Sequence, residues 1–408
     1  MNNTYIRLPF IFVLFFLFSC TQKAERTDFI LLENPAGIPS AQPWIATDAD
    51  GRLFLSWVET SENGEHRFLF SKFENASWTS PELISSGNNW FVNWADLPGI
   101  LPLPDGGLVA WYLVRNSANV YGYDIHMRMR DQVSGWSEPF SPHDDDTPTQ
   151  HGFVSMTPIH QGILTAWLDG RETESNMHQS HDEEGAMTLR SAITNQQGFI
   201  TDAHLIDGFV CSCCPTSITK TSEGWLLAYR NRTKDEIRDI YLARFDGESW
   251  SEPYPLHHDG WVMWGCPVNG PSVDALGDNV VAGWYTAAHD KHSVRVAFSD
   301  DGGKTFDNLI KVDESLPVGR VSVSMLEHES ALITWIGTYK EAQTLNTAKI
   351  SRNGNIKTYK ALQLESPAAR MTPKMIRSDS IVYIAWVEYD PSTRTNRVKT
   401  AQLNLGLN

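Results

Sequence analysis

The stretch Asp50-Gly51-Arg52-Leu53-Phe54-Leu55-Ser56-Trp57 joins a tight-turn signal to a short apolar run ending in a small residue and an aromatic. The same ending recurs as Val109-Ala110-Trp111, Thr165-Ala166-Trp167, Leu227-Ala228-Tyr229, Ala282-Gly283-Trp284, Ile333-Thr334-Trp335 and Ile384-Ala385-Trp386. Successive aromatics lie 54, 56, 62, 55, 51 and 51 residues apart. Turn signals such as Asp105-Gly106-Gly107, Gly162, Glu223-Gly224 and Gly277-Asp278 precede them, which reads as a strand leaving a hairpin turn. Around each phrase a four-strand unit is legible. An inner segment comes first (Gln42 to Asp48, Thr216 to Thr221, Arg370 to Ile376) and the aromatic strand second. A third strand (Phe68 to Phe73, Ile125 to Arg130, Ile240 to Phe245, Val294 to Ser299) and a short fourth (Glu82 to Ser85, Ile310 to Val312) follow.

Seven such units predict an all-β chain, a seven-bladed β-propeller of four-stranded antiparallel blades. Six blades are the alternative if one unit is misread. The last unit lacks a fourth strand after Arg397 to Leu403, and Phe29-Ile30-Leu31-Leu32 precedes the first unit as an orphan strand. Pairing the two would close the ring and remove both exposed edges.

The chain of 408 residues is 41% hydrophobic and 20% charged, a globular rather than a disordered composition. Its formal net charge of −16 argues against nucleic acid, which needs clustered cations, and against an electrostatic hold on anionic lipid. Any anionic ligand requires a local nest of arginines. At the N-terminus, Arg7 precedes an apolar run from Leu8 to Phe18, too short to span a bilayer as a helix. Leu17-Phe18-Ser19-Cys20 resembles the lipobox of bacterial lipoproteins. That resemblance implies a signal peptide over residues 1–19, lipidation of Cys20, a tether over 20–28 and one propeller domain over 29–408. The expected location is exported and lipid-anchored to the cell envelope, with membrane contact only through the anchor.

The turn Ser299-Asp300-Asp301-Gly302-Gly303-Lys304-Thr305-Phe306 resembles the Asp-box of the sialidase (neuraminidase) superfamily. Degenerate relatives occur at Ser77 to Pro81, Gly135 to Pro139 and Ser249 to Pro253. The resemblance implies a propeller and a glycoside or other anionic carbohydrate as ligand. It also implies an exo-glycosidase with three arginines on a carboxylate, an aspartate acid/base and a tyrosine nucleophile. The strand where sialidases carry Phe-Arg-Ile-Pro here reads Gln42-Pro43-Trp44-Ile45, without the arginine. Two readings follow: hydrolysis of a glycoside, or a non-catalytic binding or scaffold propeller with an envelope protein partner.

In a propeller the starts of the first and third strands and the ends of the second converge on one face. Here they bring together Asp96, Asp124, His151, Arg171, Arg230, Arg238, Asp239, Asn269, Tyr285, Arg320 and Arg370. Arginine binds carboxylate or sulfate bidentately, so Arg230, Arg320 and Arg370 form the expected anion-binding set, with His151, Arg171, Arg238 and Asn269 beside them. Asp96 and Asp239 are the acid/base candidates, and Tyr285 is the candidate nucleophile by the sialidase resemblance. Cys211, Cys213 and Cys214 enter the fourth unit and Cys266 enters the fifth, so the four thiols should meet. In an exported chain disulfides are the first expectation, with no cofactor. A thiolate metal site, which would make the chain a metal or redox protein, is the alternative.

Overall fold

The computed structural model describes residues 28–131, 133–173, 186–307, 309–340, 342–365 and 372–405. The aromatic ending each repeated phrase lies at the bottom of a seam between neighbouring sheets. Trp57, Trp111, Trp167, Tyr229, Trp284, Trp335 and Trp386 are all 4% exposed or less. A buried indole N–H or phenol O–H needs an acceptor, and here it is usually a carboxylate. Trp57 donates to Glu59 (2.8 Å), Trp167 to Asp169 (2.7 Å) and Trp386 to Glu388 (3.0 Å), each two residues further along its own strand. Tyr229, Trp284 and Trp335 reach Asp207, Asp259 and Asp313 at 2.5, 2.8 and 2.7 Å. Trp111 uses the Leu97 carbonyl instead (3.0 Å). The small residue before each aromatic leaves room for the next blade. At Gly283 a Cβ would come within 2.5 Å of Val323.

These seams separate seven antiparallel sheets, so the seven-blade reading holds and six blades is discarded. Blade one runs Ser40–Thr47, Leu53–Thr60, His66–Glu74 and Ser77–Trp78, with Glu82–Gly87 pairing a second time with its third strand. Blade four runs Ser217–Thr221, Gly224–Arg230, Ile240–Phe245 and Tyr254–Pro255. Blade seven runs Lys374–Ser378, Ile381–Asp390 and Thr395–Asn404. Its inner strand therefore begins later than the sequence suggested, and Arg370 lies outside the described residues. Phe29–Leu32 supplies the missing fourth strand, with Phe29 opposite Leu403 and Leu32 opposite Thr400. The burial of Phe29 beside Leu332, Leu345 and Leu403 gives the closure an apolar lock.

First strands of most neighbouring blades touch one another around the axis. Each has a free edge there, and buried backbone N–H groups must still find acceptors. Side chains of the preceding blade provide them: Ser217 accepts from Val273 N (3.1 Å), Ser272 from Val323 N (3.0 Å) and Asp274 from Met325 N (2.8 Å). Among the described residues, no helix is long and apolar enough to cross a membrane.

The Asp-box-like turn is built as its residue types demand. Asp301 accepts from Thr305 N (2.9 Å) and Thr305 Oγ1 (2.6 Å), and Ser299 Oγ donates to it at 2.7 Å. Gly302 and Gly303 sit at φ +71° and +86°. At Gly303 a Cβ would also press within 2.6 Å of Leu226.

Candidate functional site

Most of the sequence-derived candidates lie along one chain of contacts around the mouth of the axis. Asp96 begins it. Its Oδ1 accepts from Phe153 N at 2.8 Å and its Oδ2 from Tyr123 OH at 2.7 Å. Burial pushes the carboxyl up to about 7, against the pull of those two hydrogen bonds. Phe153 holds φ +55° at a bulge in its strand, which turns its N–H toward Asp96. Asp96 thus ties blade two to blade three.

Beside it His151 is fully buried, with Nδ1 3.1 Å from Asp124 and Nε2 3.1 Å from Asp145. Burial opposes its charge, but its pairing with those two carboxylates prevails and raises it to about 9, an imidazolium at neutral pH. His143 stacks on it at 4.0 Å. Arg171 grips Asp169 bidentately, at 2.8 Å for each bond, and reaches Asp145 at 3.2 Å. The cations His151 and Arg171 are therefore partnered by acids of the same network.

The cysteine segment follows. Gln150 Nε2 donates to Ser212 O (3.0 Å), and Cys211 N donates to Arg230 O (3.1 Å). Cys211 Sγ is 3.5 Å from Cys214 Sγ and 3.8 Å from Cys213 Sγ. Cys266, from the neighbouring blade, faces Cys213 and Ser212. Cys211, Cys213 and Cys214 meet, with Cys266 beside Cys213, but all four thiols are free in this structure, and separations of 3.5 and 3.8 Å far exceed a ~2.05 Å bond. The disulfide expectation is not met in this geometry because the sulfurs converge without pairing. The Cys211 thiol is drawn well below its ordinary range, first by its hydrogen bonding with Cys213 and Cys214 and then, against burial, by the Arg238 charge.

Arg238 joins this cluster to an ion-pair network. Its Nη1 is 3.2 Å from Cys211 Sγ and its Nη2 is 2.6 Å from Glu236, which also accepts from Arg232 at 2.5 Å. Arg230, 1% exposed, spends its guanidinium on backbone carbonyls. Nε donates to Asn269 O (2.8 Å), Nη1 to Arg238 O (2.5 Å) and Nη2 to Tyr285 O (2.8 Å). Its flat face lies 4.8 Å from the Trp261 ring. Asp239 accepts from Gly260 N (2.9 Å) and Trp261 N (3.1 Å), shaping the loop that leads to Cys266. Tyr285 OH pairs with His292 Nδ1 at 2.7 Å, and burial raises its phenol. Asn269 donates to Pro267 O and Val318 O (3.2 Å each) and accepts from Arg320 N (2.6 Å). Arg320 lays its guanidinium over Trp94, 4.6 Å from the ring centre, and Trp94 stands two residues from Asp96. The circuit closes there.

The sequence reading passed over Lys374. At one level of the inner wall, the residue opposite the small residue of each repeated phrase is Ser155, Ser217, Ser272 or Ser322 in four blades and Ile100 in another. In blades one and seven it is Trp44 and Lys374. Lys374 Nζ sits 4.3 Å from the Trp44 ring centre, and burial draws its ammonium down to about 8. Among the described residues no acid or carbonyl bonds it. The signal was present in the alignment of the seven inner strands, where lysine replaces serine. Asp145 and Glu236 were missed because each lies on a connecting loop outside the repeat.

No family model matches the chain, and no curated protein does. Solved structures with similar backbones include the polysaccharide lyase Uly1, at 11% identity and TM-score 0.52, covering 94% of each chain. A polysaccharide lyase of family PL25, an ulvan lyase bound to -[GlcA(1-4)Rha3S]-, matches at 12% identity and TM-score 0.51 over 92% of this chain and 95% of its own. The Hadza microbial sialidase Hz136 matches at 14% identity and TM-score 0.42 over 81% and 66%. For the two lyases, identities this low show a shared fold alone.

Proposed function

We propose that the mouth of the propeller binds an acidic carbohydrate, a uronate or sulfated glycan, at the wall formed by Lys374 and Trp44. The carrying observation is the Lys374 ammonium held over an indole, with no acid partner among the described residues. An indole face offers an apolar platform to a sugar ring, and a half-desolvated ammonium gains most from an incoming anion. Arg320 over Trp94 adds a second cation–aromatic pair to the same rim. The ulvan lyase bound to a glucuronate and rhamnose-3-sulfate unit supports this ligand class, because it shares the fold over nearly the whole chain. Binding is favoured over hydrolysis because Asp96 and Asp239 already spend both carboxylate oxygens on internal donors. Display on a lipid anchor at Cys20 would present such a receptor at the cell envelope.

Titration calorimetry with polyuronate, sulfated polyuronate and neutral glucan oligosaccharides tests the reading. Acidic glycans should bind, neutral ones should not, and Lys374→Met should weaken binding by about tenfold or more, ~1.4 kcal/mol. Equal binding by Lys374→Met and the native chain, or no heat with any acidic glycan, would overturn it.

A further inference from the structure

We infer that Cys211, Cys213, Cys214 and Cys266 form a thiolate site for one soft d10 cation, zinc(II) or copper(I). The first ground is distance. A tetrahedral centre with metal–sulfur bonds of ~2.3 Å has sulfur–sulfur edges of ~3.8 Å. Cys211 is 3.8 Å from Cys213 and 3.5 Å from Cys214, and the three sulfurs all lie within 4.8 Å of one another. These three form the base, and Cys266, which faces Cys213 from the neighbouring blade, would supply the fourth sulfur from the open side.

The second ground is the support around them. Metal-bound thiolates carry negative charge and are held by donors from an outer shell. Arg238 supplies such a donor to Cys211 at 3.2 Å and is itself fixed by Glu236, which Arg232 holds in turn. The cysteine segment is pinned from two neighbours, through Gln150 to Ser212 and through Arg230 to Cys211. The loop carrying Cys266 is stapled by Arg238 N to Trp261 O (2.8 Å) and Met263 N to Glu236 O (2.9 Å). Its position therefore depends on the same acid that orients Arg238.

The third ground is access. Cys211 and Cys214 are buried, Cys213 is partly buried and Cys266 is exposed, so a dry base opens on one side. Four sulfurs without a nitrogen or oxygen ligand select soft cations over magnesium or calcium. Binding expels thiol protons and needs no oxidant. This site is separate from the Lys374 wall, and either can fail without the other.

The test uses the full chain purified anaerobically under reducing conditions. Element analysis is followed by loading with zinc(II), copper(I) or cobalt(II) as a spectroscopic probe. About one ion per chain is expected, with thiolate-to-cobalt charge-transfer bands that zinc abolishes. Cys211→Ser should lose the ion. Cys266→Ser, at an exposed position, should stay folded, bind at least ~10-fold more weakly and show an altered cobalt spectrum; Arg238→Gln should weaken binding by ~10–100-fold. Preference between zinc and copper(I) identifies the cation. The inference is overturned if the reduced native chain takes up none of the three ions. It is also overturned if folded Cys266→Ser and Cys211→Ser both bind like the native chain, or if the thiols recur as two bridges that shut the ions out.

Discussion

Asp96 and Asp301 are the same residue in two settings. Asp301 closes a surface turn, and its partners, Ser299 and Thr305, lie within four residues of it. Asp96 accepts from Tyr123 and Phe153, 27 and 57 residues away and on two other strands. Their ionisation diverges accordingly. Asp301, partly exposed, is lowered to about 2: burial raises it, but the hydrogen bonds from Thr305 and Ser299 together outweigh that cost. Asp96 is raised to about 7 because burial outweighs bonds of the same kind. Burial, more than the number of donors, sets the direction. The same contrast separates the two faces of the ring: local turns on one, long-range polar contacts on the other.

The strongest way to break that comparison is Arg230→Ala. It would strand three carbonyls at the joint of blades four and five, and bonds to a charged donor are worth ~1.5–3 kcal/mol each. A loss of about 3 kcal/mol or more is expected in urea unfolding, and a loss below about 1 kcal/mol would deny that the mouth is held by long-range polar contacts.

The pH dependence of stability comes next. His151 is raised from 6.5 to about 9, so the folded state holds its proton more tightly. That stabilisation is full below pH 6.5 and disappears as pH rises to about 9, a change of about 3 kcal/mol. Asp96, raised from 3.8 to about 7, acts with the same sign in a lower window. The stability difference between the native chain and His151→Gln should therefore shrink as pH rises from 6.5 to 9. A difference that stays constant or grows between pH 6.5 and 9 would sink this account.

Lys374 has the opposite sign. Lowered from 10.5 to about 8 by burial, it costs stability below about pH 8, and the cost is relieved as pH rises toward 10.5. Lys374→Met should raise stability at neutral pH by about 1–2 kcal/mol, the cation–aromatic contact with Trp44 offsetting part of the burial cost. A destabilised Lys374→Met would mean that the lysine serves the fold rather than a ligand. The smallest effect is expected at the turn. Asp301→Ala should cost only ~0.5–1.5 kcal/mol in the same assay, since its bonds are local and its surroundings solvated.

The repeated apolar phrases, the glycines of the turns and the orphan strand Phe29–Leu32 were enough to read seven blades and their closure from the chain alone. Each of those signals is local: period-two burial, a left-handed turn residue, or a strand without a neighbour. The convergence of the four cysteines could also be read, because it follows from blade order. Which arginine would hold a ligand could not. Arg230 looks like Arg320 in the sequence, yet one ends among three carbonyls and the other on an indole. The fate of a charged side chain depends on what adjoining blades place within hydrogen-bond reach, and that is set by packing across gaps of tens of residues. The sequence by itself thus determined the ring and the meeting of the thiols. Tertiary structure alone decided that the acids and most cations of the mouth are consumed internally, and that Lys374 stands apart on the face of Trp44.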